Sequence, residues 1–371
     1  MKKVLYITTI SRTINAFLIP HIEKLIDEGY EVDCACNIDK EVDERLIQKG
    51  VKVYDIPFSR NPLNPKNLKA YSILSKIVKE NKYDIVHVHT PVASVYGRLL
   101  KLKFKNIKTI YTVHGFHFFK GAPKINWMIY YPIEKIMARF TDVIITINEE
   151  DYNRAKTFDI KETYKIDGVG IDLNQYNKDL YDRDKERERL NLEKDDFVIL
   201  MIAEVNKNKN HIQIINAVEK LIEQGQKVKL LCAGDGVLFD EVSKLVKDRG
   251  LDQNIKMLGF RTDINDLIAA CDIGVLISYR EGLPRNIMEL MAYGKPVVGT
   301  NIRGIRDLVS DGENGFLVDV GDVDGTVSAI DKMIEDKDLV VRMQKKSFDL
   351  IQKYSVENIM DEMIKIYKII E

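Results

Sequence analysis

Two glutamates eight residues apart, Glu281 and Glu289, have the best combination of type and spacing for chemistry in this chain. They lie in YREGLPRNIMELMAYGKPVV (279–298), directly after the apolar run DIGVLIS (272–278), which reads as a buried strand. Apolar residues at Ile287, Leu290 and Met291 then keep a helical period, so Glu281 is expected at the strand end and Glu289 inside the next helix. A helix starting past a strand's carboxyl end turns its free N–H groups and positive dipole end into the crevice above the sheet, where diphosphates bind. Carboxylates line a phosphate site poorly, but they accept charge-assisted hydrogen bonds from sugar hydroxyls. The pair therefore reads as a polyol clamp beside an anion site. Against this, the dipole alone favours acids near a helix start, and Glu289 has the spacing of an ordinary helix-face charge.

Other side chains point toward the same chemistry. His114 stands at a strand end before Gly115 in TVHGFHFF (112–119), where a group titrating near neutrality can exchange hydrogen bonds with a sugar hydroxyl. In AEVNKNKNHIQ (203–213), Lys207 and Lys209 crowd an expected helix start that disfavours cations, a conflict that an anionic ligand would resolve. His87 and His89 alternate on one strand and point the same way, but no carboxylate or cysteine joins them at ligand spacing. They read as cleft-lining or packed rings, and no metal is expected. The pairs Asp182/Asp184 and Asp322/Asp324 have the spacing of a metal-holding D-x-D and read as solvated loop charge.

The elements that must position these residues follow a β-α-β rhythm. Strand patterns fall at 3–9, 30–36, 51–56, 84–89, 108–113 and 142–147, separated by amphipathic segments including 13–28, 67–80 and 125–140. A charged, irregular stretch at 174–196 breaks the pattern and reads as a junction. A second series runs through 197–204, 228–233, 255–258, 273–278, 296–300 and 315–318, and the segments 323–353 and 356–371 read as helical. Alternation of this kind implies parallel sheets with helices on both faces, here twice in tandem.

Size agrees, since 371 residues exceed one ordinary core and suit two domains. No run of 18 apolar residues occurs and the start MKKVLYITTISR lacks an apolar leader core, so neither a spanning helix nor a signal peptide is expected. Cys34, Cys36, Cys232 and Cys271 form no disulfide framework, which points to a reduced, cytoplasmic compartment. The net charge of −1 conceals an asymmetry: the first 165 residues hold 27 basic and 19 acidic groups, the remainder 29 and 38. A basic half facing an anionic surface or substrate is one reading, and charges spread over solvated faces is the other. Nucleic acid is not an expected partner, because no basic and aromatic reader motif is present. The stretch FHFFKGAPKINWMIYYPIEKIMARF (116–140) mixes Trp127, Tyr130, Tyr131 and three phenylalanines with Lys120, Lys124, Lys135 and Arg139. That composition suits an anionic bilayer, and it equally suits an amphipathic helix covering the sheet.

The string E-G-L-P-x-x-x-x-E-x-M-A-x-G-x-P-V-V, from Glu281 to Val298, resembles the E-x7-E signature of the retaining glycosyltransferases of family 4, and the likeness extends over nearly the whole chain. The resemblance implies the GT-B fold: α/β, two Rossmann-like doubly wound parallel-sheet domains facing a central cleft. It places an acceptor domain at 1–175, a nucleotide-sugar domain at 176–353, and a last segment at 354–371 that returns to the first domain. It implies a nucleotide-diphosphate sugar as donor, a glycan or lipid-linked acceptor, retention at the anomeric carbon, and no cofactor or metal.

By the same likeness, Glu289 takes the donor ribose, Glu281 the transferred sugar, Lys209 the diphosphate, and His114 the sugar beside the reacting carbon. Asn206, Gly282, Leu283 and Arg285 would approach the donor. Gly234 matches the family's G-x-G turn, while Phe260 and Arg261 match the loop beside the nucleobase. The chain departs from the pattern twice. Glu204 stands where many members have arginine, with Lys207, Lys209 or Arg285 left to supply the charge. The first loop carries Ser11, Arg12 and Thr13 in place of a Gly-Gly pair, as an acceptor or diphosphate loop. A nucleotide-sugar epimerase of the same architecture and a catalytically silent binding subunit are the alternatives.

Overall fold

The computed structural model describes residues 1–176 and 181–370. Positions 177–180 of the expected junction, and Glu371 of the expected last segment, lie outside the described residues.

Residues Met1–Gly170 form one compact unit together with the chain from Val356 onward, and Ile171–Ser355 form the other. In the first unit, β1 (Lys3–Ile10), β2 (Glu31–Asn37), β3 (Val53–Asp55), β4 (Ile85–His89), β5 (Lys108–Val113), β6 (Val143–Thr146) and β7 (Glu162–Lys165) make one sheet. Its order is β3-β2-β1-β4-β5-β6-β7 and every pairing is parallel. In the second unit, β8 (Phe197–Ile202), β9 (Val228–Ala233), β10 (Ile255–Gly259), β11 (Ile273–Leu276), β12 (Val297–Thr300) and β13 (Gly315–Val318) follow the order β10-β9-β8-β11-β12-β13, again all parallel. Both are doubly wound Rossmann-like sheets. Strands covered on both faces read as unbroken apolar runs, and β4, β6, β11 and β12 are buried at every residue.

Two points depart from the expectations, and a third, the helical reading of 323–353, holds with a break inside it. Strand β7, ETYK, carries no apolar run because it is a partly exposed edge strand. The segment 323–353 is two helices, Val323–Glu335 and Lys337–Ile351, because the Asp336 carboxylate caps the second by accepting the Leu339 N–H at 2.8 Å. The first loop is not a loop: helical turns begin at Ser11, immediately after β1, and pass through a π turn at Ile14–Leu18 before the helix Ile19–Asp27. Pro20 lacks the N–H that would continue an α ladder, and the widened turn accommodates it.

The last helix, Val356–Ile370, packs within the first unit. Its buried Tyr367 hydroxyl lies 2.7 Å from His87 Nδ1 on β4, and Lys368 pairs with Glu28 at 3.1 Å.

Candidate active site

In the second sheet the winding direction reverses between β8 and β11. Such a reversal splays the following loops apart and leaves a crevice at the strands' carboxyl ends. Here the two loops are laced together. The Tyr279 N–H donates to the Asn208 carbonyl at 2.8 Å, the Asn208 side-chain amide to the Arg280 carbonyl at 3.0 Å, and the Asn286 amide to the Ile202 carbonyl at 2.6 Å.

This lacing brings Lys209 Nζ to 2.5 Å from Glu281 Oε1, with both side chains largely buried. Lys209 does not sit in the first turn of the long helix His211–Glu223, as the sequence led us to expect. It ends a separate 3-10 turn, Lys207–Lys209, whose last N–H donates to the Asn206 side chain at 3.1 Å, and Asn210 at φ 49° then redirects the chain. Cations are therefore held off the helix start, and Asn206 acts here as a cap. Lys207 points outward and is exposed.

Glu281 lies five residues beyond the end of β11 rather than at it. Glu289 is on the helix Arg285–Ala292, where Oε1 accepts from Arg285 Nε at 3.2 Å and from the Tyr176 hydroxyl at 3.1 Å. Burial raises its carboxyl above the ordinary range, against the opposing pull of Arg285. Pro284 stands just before this helix, so no side chain caps its start. The intervening Gly282 and half-buried Leu283 are braced from below by the Arg303–Gly304 turn. Arg303 Nε donates to the Glu281 carbonyl at 3.1 Å, and a Cβ on Gly304, at φ +80°, would fall 2.3 Å from the Gly282 oxygen. Arg303 was not legible as a site residue, since only the folded turn brings it beneath the glutamate.

Gly234 follows β9 at φ +150°, and a Cβ there would lie 2.0 Å from the Ala203 carbonyl, so only glycine lets the two loops meet. Glu204 is exposed beside them. Phe260 and Arg261 follow β10, two strands from the reversal. Phe260 is exposed, whereas Arg261 Nε pairs with Asp263 at 2.7 Å. His211 escaped the sequence reading. It is buried next to Lys209, neither ring nitrogen has a hydrogen-bond partner among the described residues, and burial lowers its pKa to about 4, which keeps it neutral.

The first sheet reverses between β1 and β4, and a crevice of about 490 Å³ opens there. Thr9 and Thr90 bridge the two strands with their hydroxyls 2.7 Å apart. Thr90 has φ 65° and ψ 143°, a conformation that a β-branched residue adopts only under constraint, and it marks this point as a site the sequence did not disclose. Of the three residues expected here, Thr13 lines the crevice. Arg12 pairs with Asp39 at 3.0 Å. Ser11 is fully buried, with its hydroxyl donating to the Lys40 carbonyl and to Asp39, so it fastens the chain and does not face a ligand.

His114 lies beside this reversal with its Nε2 3.1 Å from His89 Nδ1. His87, His89 and His114 stack in sequence, and Tyr6 stacks against His89. Burial pushes His114 down to about 4, and the ring is neutral near pH 7. His87 is packed, with Thr112 and Tyr367 on its two nitrogens. Among the described residues no group of three His, Cys, Asp or Glu side chains is spaced to hold a metal ion. Asp182 and Asp322 are not loose charge: each carboxylate caps a helix, accepting from the N–H groups of Asp184 and Lys185 and from that of Gly325.

Two Rossmann-like units, one with an acid, lysine and acid at its reversal point, define an enzyme of the GT-B type. Comparison with known proteins agrees. The family described as "Glycosyl transferases group 1" matches residues 182–349, and "Glycosyl transferase 4-like" matches residues 3–148. The putative glycosyltransferase EpsD of Bacillus subtilis is 36% identical over 99% of this chain and 96% of its own length. A UDP-Gal:alpha-D-GlcNAc-diphosphoundecaprenol alpha-1,3-galactosyltransferase of Escherichia coli is 27% identical over 94% of this chain and 92% of its own. Among solved structures, Anabaena HepE in complex with UDP and glucose superposes with a TM-score of 0.81 at 22% identity, covering 99% of this chain and 100% of that one. The chain belongs to the family 4-like, group 1 glycosyltransferases and is a glycosyltransferase. Among the described residues no helix is long and apolar enough to cross a membrane.

Proposed function

We propose that the chain transfers a sugar from a UDP-linked donor to a lipid-linked glycan acceptor during assembly of bacterial cell-surface polysaccharide, with retention and without a metal ion, in the cytoplasm at the inner face of the membrane. The observation that carries the reading is the Lys209–Glu281 pair at 2.5 Å, beside a buried Glu289, at the reversal point of the second sheet. In this reading Glu289 accepts from ribose hydroxyls and Glu281 from hydroxyls of the transferred sugar. Lys209 meets the diphosphate, whose charge grows as the anomeric C–O bond breaks. The acceptor oxygen then bonds to the same face of that carbon, and its proton passes to the departing diphosphate oxygen. His114, held neutral, is assigned a hydrogen bond to the sugar. The lipid diphosphate acceptor follows the name of the Escherichia coli relative, and the polysaccharide setting that of a capsular polysaccharide biosynthesis glycosyltransferase of Staphylococcus aureus, 25% identical over 99% of this chain.

Incubation with a panel of UDP-sugars, with and without a polyprenyl-diphosphate-linked sugar, tests the reading. Acceptor-dependent UDP release, insensitive to chelator and giving a product of retained configuration, is the expected result. Donor interconversion would replace the transferase with an epimerase, and binding without turnover would leave a silent subunit.

A further inference from the structure

The helix Lys124–Met137 in the first unit has two unlike faces. Trp127, Tyr130 and Tyr131 turn inward and pack against the core of that unit, with Phe118 buried beneath them. The aromatic residues that made this stretch look membrane-seeking in the sequence are therefore occupied. The opposite face is aliphatic and open: Ile125, Met128, Ile129, Ile133 and Ile136 are between 41% and 72% exposed. At 100° per residue these five fall within one sector, and together they expose on the order of 500 Å² of apolar surface, a large patch for a single chain in water.

Charge decides what covers the patch. Lys120, Lys124, Lys135 and Arg139 are exposed along the same stretch. Its single acid, Glu134, is turned inward and neutralised by Arg98 at 2.8 Å. An aliphatic stripe whose own helix exposes only cations, with Glu150 reaching the Lys120 N–H at 2.6 Å at one end, is complementary to hydrocarbon beneath a layer of anionic headgroups. The crevice at the β1/β4 reversal continues from this helix, since Tyr130 and Ile133 help to line it alongside Pro62, Leu63, Val95 and Tyr96.

We propose that this helix face seats the protein on an anionic lipid bilayer, so that the crevice beside it opens at the level where a lipid-linked acceptor presents its sugar. The docking surface stands on the helix itself; only its link to the acceptor rests on the function proposed above. Basic flanks draw the protein to the surface, and the isoleucines and Met128 enter the acyl boundary.

Flotation of the full chain with phosphatidylglycerol-containing vesicles and with phosphatidylcholine vesicles tests this. The wild type should float with the first and not the second, and added salt should weaken the association. The double variant Met128→Glu/Ile136→Glu should lose at least tenfold in partition, and Lys124→Glu/Lys135→Glu should lose the preference for anionic vesicles while keeping the aliphatic stripe. All four positions are exposed, and unchanged Trp127 fluorescence and UDP-sugar binding confirm folding. Failure of the wild type to float, or equal flotation of the Met128/Ile136 variant, overturns the proposal. So does a wild-type dimer that this variant converts to monomer, which would make a second copy the occupant. Transfer to the lipid-linked acceptor dissolved in detergent is measured in parallel. Flotation without transfer defeats the acceptor reading alone, and transfer without flotation defeats the docking surface alone.

Discussion

The two sheets reverse winding at equivalent points and surround those points with opposite chemistry. At β8/β11 the loops deliver ion pairs, Lys209 with Glu281 and Arg285 with Glu289. At β1/β4 they deliver threonine hydroxyls, neutral histidines and a mainly apolar crevice lined by Ile10, Pro62, Leu63 and Val92, with Arg60 and the paired Glu134 at its margin and the Arg12–Asp39 pair on the turn after β1. The same topology opens both places, because parallel strands that wind away from each other cannot cover their own carboxyl ends. Which ligand each end suits is set by a few side chains on the following loops. A charged end fits a diphosphate and its sugar hydroxyls, and an apolar end fits a ligand carrying hydrocarbon.

The largest effect should come from removing the cation of the charged end. Lys209→Ala is expected to lower kcat by about 10²–10³-fold, the range for deleting one preorganised electrostatic group, with a smaller change in UDP-sugar affinity. Single-turnover assays separate the two, and full turnover in this variant would pass the role to Arg285 or Arg303.

The histidines sharpen the contrast in a way that needs no substrate. His21 and His114 are lowered from 6.5 to about 4 by burial, with His87 and His89 also well below the usual value, all in the first unit. The second unit holds His211 alone. A histidine with a depressed folded pKa leaves stability intact above 6.5, and stability falls as pH drops from 6.5 toward 4 because the unfolded chain binds the proton first. For His21, buried throughout, the penalty approaches about 3 kcal/mol at the acid end. The first unit should therefore open first. Trp127, the chain's single tryptophan, reports it by fluorescence, while hydrogen exchange should find the second unit still protected at that pH. Simultaneous loss of protection in both would contradict the expectation.

A smaller effect is expected at Glu289. Glu289→Ala should weaken donor binding by about 10-fold, as fits one charge-assisted hydrogen bond to a ribose hydroxyl. Because burial raises this carboxyl, wild-type affinity should begin to fall with decreasing pH earlier than an ordinary glutamate would dictate, and Glu289→Gln should flatten that limb in calorimetric titrations. An unchanged affinity in the alanine variant removes the ribose assignment.

The smallest effect is at the apolar end. Thr90→Ala keeps the positive φ and loses the bridging hydroxyl, for a cost of about 1–2 kcal/mol in denaturant melts. Thr90→Gly relieves the backbone while losing the same bond, and should be close to neutral. If both variants cost the same, the conformation at Thr90 stores no strain.

Burial on both faces writes the interior parallel strands as apolar runs, and the edge strands β3, β10 and β13 keep enough apolar residues to be read, so among the described residues twelve of thirteen strands were legible while the edge strand β7, ETYK, was not. The spacing of Glu281 and Glu289 around a helix start likewise marked the charged end without coordinates. The partners could not be read that way. Lys209 meets Glu281 across 72 residues, Arg303 reaches back under the Glu281 carbonyl, and Tyr176 finds Glu289 across 113 residues. The fate of Ser11, Arg12 and Thr13 was also decided by folding, since one is buried, one paired and one left on the crevice. The helix Lys124–Met137 makes the same point, because composition named its aromatics and packing turned them inward to leave the isoleucines outside. Sequence alone thus determined the periodicity, the class of fold and the kinds of charge available, because those depend on neighbours a few residues apart. Only the tertiary structure decided which charges meet and which apolar faces stay open, because those depend on contacts between residues far apart along the chain.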